Sequence, residues 1–215
     1  MAQLFHPSAN TISQVSVFGS LILFGGAFGV GALLVRSPYI TDVGVVRSQP
    51  IPFSHQHHVG DVGIDCQYCH RDVSRNASAG MPTTEICLGC HSQIWADAPI
   101  LEPLRVSRES RRPLSWVRVH DLPDFVYFNH AIHVSRGLEC ELCHGRMDHM
   151  PLTWRNATLH MEWCLDCHRH PDRHAQPANA VAGLGWERGD REASLSLIEL
   201  SQAIQGPTHC SACHR

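Results

Sequence analysis

The ten cysteines of the sequence form five pairs, each with two residues between the cysteines and a histidine directly after the second one. The pattern C-x-x-C-H therefore occurs five times and leaves no cysteine over. Two thiols at this spacing can form thioethers with the vinyl groups of one haem, and the next imidazole then lies beneath the iron. The pattern predicts five covalently attached haem c groups. The cysteines are Cys66, Cys69, Cys87, Cys90, Cys140, Cys143, Cys164, Cys167, Cys210 and Cys213, and the histidines are His70, His91, His144, His168 and His214.

Other uses of paired cysteines explain less of this pattern. Zinc sites built from four cysteines need two pairs per metal, and ten cysteines leave one pair over. Redox-active C-x-x-C pairs do not require the following histidine. Ten cysteines are also too many for a reduced cytosolic protein without a cofactor. Haem attachment is the interpretation that uses every cysteine and every following histidine.

An internal repeat supplies candidates for the sixth ligands of the irons. The pattern F-x-H-x-x-H starts at Phe53 and again at Phe128, each time before two C-x-x-C-H motifs. Histidines three residues apart on a helical turn can point to two different irons, so one short segment can complete two haems. We expect the histidines of this repeat to give four irons two histidine ligands each. These histidines are His55, His58, His130 and His133.

The sixth ligand of the fifth iron stays open at this point. Met150 and Met161 lie beside the third and fourth motifs, and a thioether ligand would raise that haem's potential above those of its neighbours. Methionine is more often a core residue than a ligand. Another histidine or a water molecule is an equally admissible sixth ligand.

The composition is that of a folded protein with a cofactor-filled interior. Hydrophobic residues make up 43% and charged residues 17% of the chain, and the formal net charge is −3. This balance argues against disorder, and it provides no basic surface for a nucleic acid. Because about 180 residues would have to enclose five macrocycles, the haems themselves form much of the core. We expect a mostly helical and irregular multihaem cytochrome c, with class III-like haem packing and little sheet.

An apolar segment near the N-terminus predicts a single membrane anchor. Residues 12–35 carry no charged side chain. As a helix, this segment is long enough to cross a bilayer core of about 30 Å. A cleaved signal peptide is the alternative, but basic residues before the segment and an A-x-A cleavage site are both missing. Gly25 and Gly29 form a G-x-x-x-G pattern that would let a neighbouring membrane helix approach closely.

The cofactor decides the orientation of the anchor, because c-type haem is attached outside the cytoplasm in bacteria. We expect residues 1–10 on the cytoplasmic side, an anchor over 11–36 and a periplasmic haem domain over 37–215, held at the inner membrane. The motif spacing divides this domain into a haem pair (53–92), a linker (93–127), a second haem pair (128–170) and a tail (171–215). The tail is predicted to contain the fifth haem and an amphipathic helix with Leu197, Leu200 and Ile204 on one face.

All basic residues other than histidine are arginines, and five of these arginines lie between the second and third motifs. Arginine binds carboxylates through two parallel hydrogen bonds, so some of these residues could bind haem propionates. A solvated, charged linker is an equally good interpretation. The five are Arg105, Arg108, Arg111, Arg112 and Arg118.

The repeated F-x-H-x-x-H resembles that of multihaem class III cytochromes. The segments FSHQHHVGDVGIDCQYCH, LPDFVYFNHAIH and MEWCLDCHR are similar to those of the membrane-anchored pentahaem subunit, ActA, of alternative complex III. The resemblance covers the chain from the anchor through Arg169. It implies an electron-transfer subunit of a quinol-oxidising complex that contains an iron–sulfur subunit and integral membrane subunits. A monohaem cytochrome c or a blue-copper protein would accept the electrons, and the family's ligand histidines match His55, His58, His130 and His133.

Two other functions are compatible with five haems. A free-standing membrane quinol dehydrogenase would also combine an anchor with c-type haems. A multihaem reductase would need an iron with an open position, often from a C-x-x-C-K motif, and the sequence has no such motif. The subunit is not expected to be catalytic by itself.

Overall fold

The computed structural model describes residues 6–171 and 206–214. The amphipathic helix predicted around Leu197, Leu200 and Ile204 lies outside these residues. The chain forms two compact units, Met1–Val43 and Gly44–Arg215.

The first unit is built on one long helix, α1 (Ser8–Arg36), of 29 residues. At 1.5 Å per residue it is about 43 Å long, more than a bilayer core requires. No residue of α1 is buried, and its apolar side chains are exposed all around it. Pro38 cannot continue the hydrogen bonding of α1 and begins a short helix, α2 (Pro38–Thr41). By length and composition, α1 could span a membrane.

The described part of the second unit consists of short helices joined by irregular segments. They are a π-helical turn (Gln56–Asp61), α3 (Cys66–Cys69), α4 (Thr84–His91), a 3-10 turn (Pro99–Leu101), α5 (Glu102–Ser110), α6 (His130–Ser135), α7 (Cys140–His144), a 3-10 turn (Met147–His149), α8 (Met161–Arg169) and α9 (Cys210–Cys213). Among the described residues, β-pairing is limited to isolated bridges from Val46 to Trp154 and from Val126 to His214. The prediction of a mostly helical and irregular fold with little sheet is confirmed.

The apolar core of the described residues is small. Its main cluster is formed where α5 packs on α4, and it contains Ile51, Leu101 and Leu104. Many apolar side chains elsewhere in this unit are exposed, among them Tyr68 within the first C-x-x-C-H motif and Ile132 within the second F-x-H-x-x-H repeat. A polypeptide core of this size cannot stabilise a unit of this length by itself. Large apolar groups that cover the exposed side chains fit this arrangement, as the sequence predicts.

The linker between the second and third motifs is folded over much of its length. It contains α5, whose Ser107 hydroxyl lies 2.7 Å from that of Thr84 on α4 in a buried contact. The guanidinium of Arg105 donates to the backbone oxygens of Ala96 and Ala98 at 2.8 and 3.1 Å. Arg105 therefore stabilises the turn before α5, whereas the other four arginines of the cluster are exposed, as a solvated linker predicts.

Candidate haem sites

All five C-x-x-C-H motifs fold as helical turns. Helices α3, α7 and α9 begin at the first cysteine of a motif, and α4 and α8 contain their motifs in full. In the first and fifth motifs the histidine N–H donates to the carbonyl of the first cysteine, His70 to Cys66 and His214 to Cys210, both at 2.9 Å. Residues three and four apart share one face of a helix. Each motif therefore presents two thiols and an imidazole on the same side.

None of the ten cysteines is paired in a disulfide. Only Cys90 and Cys210, in the second and fifth motifs, are exposed, and the other eight are partly buried. Within residues 6–171 and 206–214, no three His, Cys, Asp or Glu side chains converge in a way that could hold a bare metal ion. The described thiols therefore form no cluster of the kind that a zinc site needs.

Three motif histidines have their Nδ1 atoms fixed by backbone carbonyls. Nδ1 of His70 donates to Gly80 at 2.9 Å, that of His91 to Ile94 at 3.0 Å, and that of His168 to Pro207 at 2.7 Å. A carbonyl oxygen can only accept, so Nδ1 carries a proton, and in the neutral imidazole the lone pair is then on Nε2. This is the tautomer that a haem iron requires, held by the kind of outer hydrogen bond that orients metal-ligating histidines.

The histidines of the F-x-H-x-x-H repeat are oriented in the same way. Nδ1 of His58 donates to the carbonyl of Ser54 at 2.8 Å, and Nδ1 of His133 donates to that of Asn129 at 2.7 Å. Each partner lies four residues earlier, so the two halves of the repeat use one geometry.

The first histidines of the repeat use partners that are distant in sequence. His130 donates to Ala77 at 2.8 Å, whereas His55 lies 3.0 Å from the Thr153 hydroxyl. All four histidines of the repeat therefore keep Nε2 free when Nδ1 carries the proton.

The phenylalanine of each repeat packs between its two histidines. Phe53 stacks on His58 at 4.3 Å and 23° and meets His55 edge-on at 4.9 Å and 86°. Phe128 repeats this arrangement, at 4.5 Å and 25° with His133 and at 4.7 Å and 90° with His130. The motif is therefore repeated in the structure as well as in the sequence. In both copies the phenyl ring fixes the two imidazoles at a large angle to each other.

Three pairs of imidazoles have the spacing that an iron between them would impose. With nitrogen–metal distances of about 2.0 Å and about 1.1 Å from nitrogen to ring centre, the two ring centres would be about 6.2 Å apart. The observed distances between ring centres are 6.1, 6.4 and 6.1 Å. Each pair joins one repeat histidine to one motif histidine. The pairs are His58 with His91, His130 with His144, and His133 with His168.

The remaining repeat histidine, His55, lies near the remaining motif histidine of the first half, His70. Burial, followed by the neighbouring His70, lowers the pKa of His55 to about 4. Burial and several nearby histidines lower the pKa of His144 to about 3. Both imidazoles are therefore neutral at neutral pH, which is the form that binds iron.

The fifth motif has an aromatic neighbour. The phenyl ring of Phe125 lies 5.8 Å from the imidazole of His214, at an angle of 28°, and the Tyr127 N–H donates to the Cys213 carbonyl at 2.7 Å. Met150 is buried near the π-helical turn, where its carbonyl accepts from the Gln56 N–H at 3.0 Å. Met161 is exposed at the start of α8. Either methionine as a sixth ligand stays a prediction.

The thiols show which of the first three motifs are neighbours. Burial, and then the nearby Cys69, raise the pKa of Cys87, so the first and second motifs are adjacent. The thiol of Cys66 is in hydrogen-bonding contact with that of Cys140, and this contact and burial raise the pKa of Cys66. The first motif therefore lies between the second and the third.

The second half continues the series. Burial, followed by Cys167 and Cys164, raises the pKa of Cys143 to about 12. Burial, and then Cys213, raise the pKa of Cys164. The five motifs thus follow one another in space in the order second, first, third, fourth, fifth. The two exposed cysteines belong to the two ends of this series.

His120 is a buried residue that motif spacing did not identify as part of the site. Its ring centre lies 4.3 Å from that of His144, too short a distance for an iron between the rings. Burial, followed by the positive charge of Arg155, lowers the pKa of His120 to about 4. Arg155 donates to the carbonyls of Val119 and Asp121 at 3.0 and 3.3 Å, and so holds the segment on both sides of His120. Only the fold brings these residues together, so no sequence signal could have revealed them.

The five sites define a class of protein. Repeated helical turns with paired free thiols and Nδ1-anchored histidines fit covalently bound haem c, and the chain is a multihaem cytochrome c. No family model matches the chain. The sequence is 32% identical over 145 aligned residues to the "Menaquinone reductase, multiheme cytochrome c subunit" of Nitratidesulfovibrio vulgaris (strain Hildenborough), covering 57% of this chain and 68% of the relative. The chain belongs to the family of multihaem cytochrome c subunits that includes this relative.

Proposed function

We propose that the chain carries five haem c groups and transfers electrons as a membrane-anchored subunit of a quinol:periplasmic acceptor oxidoreductase. Each C-x-x-C-H motif attaches one haem through its two cysteines and binds its iron through the following histidine. The haems are numbered here by motif order. Four of them have a second histidine ligand, His55 for haem 1, His58 for haem 2, His130 for haem 3 and His133 for haem 4.

The observation that carries this proposal is the spacing of the imidazole pairs. The ring centres of three repeat histidines lie 6.1–6.4 Å from those of three different motif histidines. Where Nδ1 donates to a backbone carbonyl, Nε2 of the neutral imidazole is left to bind iron. His55 and His70 take the fourth pair, because the repeat relates them to His130 and His144. Phe53 and Phe128 hold the paired histidines in place.

The ligand set favours electron transfer over catalysis. Haem iron bound by two imidazoles changes oxidation state with little rearrangement and has no position for a substrate. The carbonyls that anchor the Nδ1 atoms keep the imidazoles in place in both oxidation states. The neighbour relations of the thiols support a single path in the order haem 2, haem 1, haem 3, haem 4, haem 5, with the exposed ends at Cys90 and Cys210.

The membrane setting rests on α1 and on the resemblance to the pentahaem subunit of alternative complex III. Helix α1 would hold the haem domain on the periplasmic face of the inner membrane, where covalent haem attachment takes place. Integral membrane subunits and an iron–sulfur subunit would be the partners within the complex. A monohaem cytochrome c or a blue-copper protein would exchange electrons with the exposed end of the path.

A second direction of electron flow is favoured by the relative, which is a subunit of a menaquinone reductase. In that case a periplasmic donor would reduce the haems and the complex would reduce menaquinone. The same residues serve both directions, because an electron path has no intrinsic polarity apart from the potentials at its ends.

The proposal can be tested on the intact complex in membranes. Menaquinol added to oxidised membranes should reduce all five haems of the subunit, and a soluble cytochrome c should then reoxidise them. Reduction of the haems only from the periplasmic side, followed by menaquinone reduction, would establish the second direction. Haems that respond to neither a quinol nor a periplasmic protein would contradict the proposal. Pyridine haemochrome analysis of the purified subunit should give five haems per chain, and a lower number would contradict the stoichiometry.

A further inference from the structure

The two halves of the repeat differ in the atom that anchors their first histidine. His130 donates its Nδ1 proton to a backbone carbonyl, that of Ala77, at 2.8 Å. His55, at the same place in the other half, has the side-chain hydroxyl of Thr153 at 3.0 Å from Nδ1. The aromatic packing around the two histidines is otherwise the same within 0.2 Å between ring centres, 4.9 Å from Phe53 to His55 and 4.7 Å from Phe128 to His130.

The Thr153 contact is held by the surrounding fold. Thr153 is 98 residues from His55 in sequence, and both groups are partly buried. The residue after His55, Gln56, donates its backbone N–H to the Met150 carbonyl at 3.0 Å. Met150 is 2% exposed, so the segment that carries Thr153 is packed firmly against the start of the π-helical turn. Two successive residues of the ligand segment thus bind the same loop.

A hydroxyl and a carbonyl affect an imidazole ligand differently. A hydrogen bond from Nδ1–H raises the basicity of the ligating nitrogen, and the effect grows with the strength of the acceptor. A neutral hydroxyl is a weaker acceptor than an amide carbonyl. A less basic imidazole stabilises the oxidised iron less, so the reduction potential rises.

We propose that Thr153 is a positioning residue that orients His55 and sets the potential of haem 1 above the value that a carbonyl partner would give it. This inference rests on the proposed function, because it takes His55 as a ligand of haem 1. Haem 1 lies at an inner position of the path, so its potential governs how easily an electron passes between haem 2 and haem 3. Among the described Nδ1 partners of the four repeat histidines, this hydroxyl alone belongs to a side chain, so it alone can be changed by a substitution.

Spectropotentiometric titration of the holoprotein tests the inference. In Thr153→Val the hydroxyl is lost at constant shape, and one of the five components should become about tenfold easier to reduce, a shift of about 59 mV to higher potential. Thr153→Ser keeps the hydroxyl and should give the wild-type titration curve. Thr153→Asn offers a carbonyl acceptor and should move the same component in the opposite direction. Thr41→Val is the matched control, because it removes a buried hydroxyl in the first unit and should leave all five components in place.

The opposite shifts separate tuning of the ligand from simple loss of stability, which would not change sign between variants. His55→Ala identifies the component, because it should convert the same one to a high-spin form. Unchanged potentials in Thr153→Val and Thr153→Asn, with five haems attached, would overturn the inference and leave the proposed function intact. If the valine variant attaches no haem, the asparagine variant alone decides, since an unmoved component there contradicts the inference. A high-spin signal from haem 1 in the wild type would instead contradict the proposed ligand set.

Discussion

The imidazole rings of His130 and His144 have their centres 6.4 Å apart and their planes within 15° of parallel. These residues belong to different helices, α6 and α7, and the Ala77 carbonyl from a third segment fixes the orientation of His130. The His58–His91 pair has nearly the same spacing, 6.1 Å, but its planes are 64° apart. The fold thus holds two imidazole pairs with different mutual orientations.

This difference predicts two kinds of low-spin iron signal. Nearly parallel axial imidazoles give a rhombic electron paramagnetic resonance signal, and steeply inclined ones give a strongly anisotropic signal. The oxidised protein at low temperature should show both, the first from haem 3 and the second from haem 2. A single rhombic class for all the low-spin irons would contradict these orientations.

Removing one ligand should open one iron. His58→Ala takes away the sixth ligand of haem 2, so about one fifth of the haem should become high-spin and bind carbon monoxide after reduction. The neighbouring His57 provides the control: its exposed imidazole lies 3.4 Å from Asp61 and meets the His58 ring edge-on at 5.4 Å between centres, but it is not one of the proposed ligands. His57→Ala should leave the absorption spectrum unchanged. Equal effects of the two substitutions would show that His58 is not a ligand.

A glycine next to a motif histidine should tolerate no side chain. A Cβ added at Gly206 would lie 2.8 Å from the Cα, Cβ and Cγ atoms of His168, and Pro207 provides the carbonyl that anchors this histidine. Gly206→Ala should therefore displace His168 or the Pro207 carbonyl, and so raise the potential of haem 4 or lower its yield. Gly89→Ala is the control, since its Cβ would meet only the Tyr68 hydroxyl, at an ordinary 3.8 Å. Comparable haem yields and spectra for both variants would contradict this packing.

The buried imidazole of His120 should make the fold sensitive to acid. Its pKa is about 4 in the folded chain and near its ordinary value of 6.5 in the unfolded chain. Between these values the unfolded chain binds a proton that the folded chain does not, so stability falls as the pH falls from 6.5 to 4. In His120→Gln this contribution is lost. The free energy of unfolding, measured with a chaotrope, should then change less with pH over that range, by the equivalent of about one bound proton. An unchanged pH dependence would show that His120 is protonated equally in both states.

Local spacing was sufficient to propose the residues of the haem sites. The C-x-x-C-H motifs fold as helical turns, so sequence neighbours become spatial neighbours at each of them. The F-x-H-x-x-H repeat works in the same way, because Phe53 and Phe128 pack on histidines two and five residues away. Helix α1 was also predictable, and it begins at Ser8, three residues before the expected start.

Contacts between distant segments could not be predicted from spacing. Thr153 is brought to His55 from 98 residues away, and Ala77 to His130 from 53 residues away. Neither residue has a side chain that would mark it as part of a haem site. The partial core of α4 and α5 was missed for a similar reason, because the arginine-rich composition of the linker masks the buried positions of Leu101 and Leu104.

Carbon monoxide binding to the dithionite-reduced wild-type protein tests the central claim most directly. The account predicts that at least four of the five haems keep both imidazole ligands, so the difference spectrum should correspond to at most one haem per chain. A spectrum that corresponds to two or more haems per chain would show that the paired histidines do not close the irons.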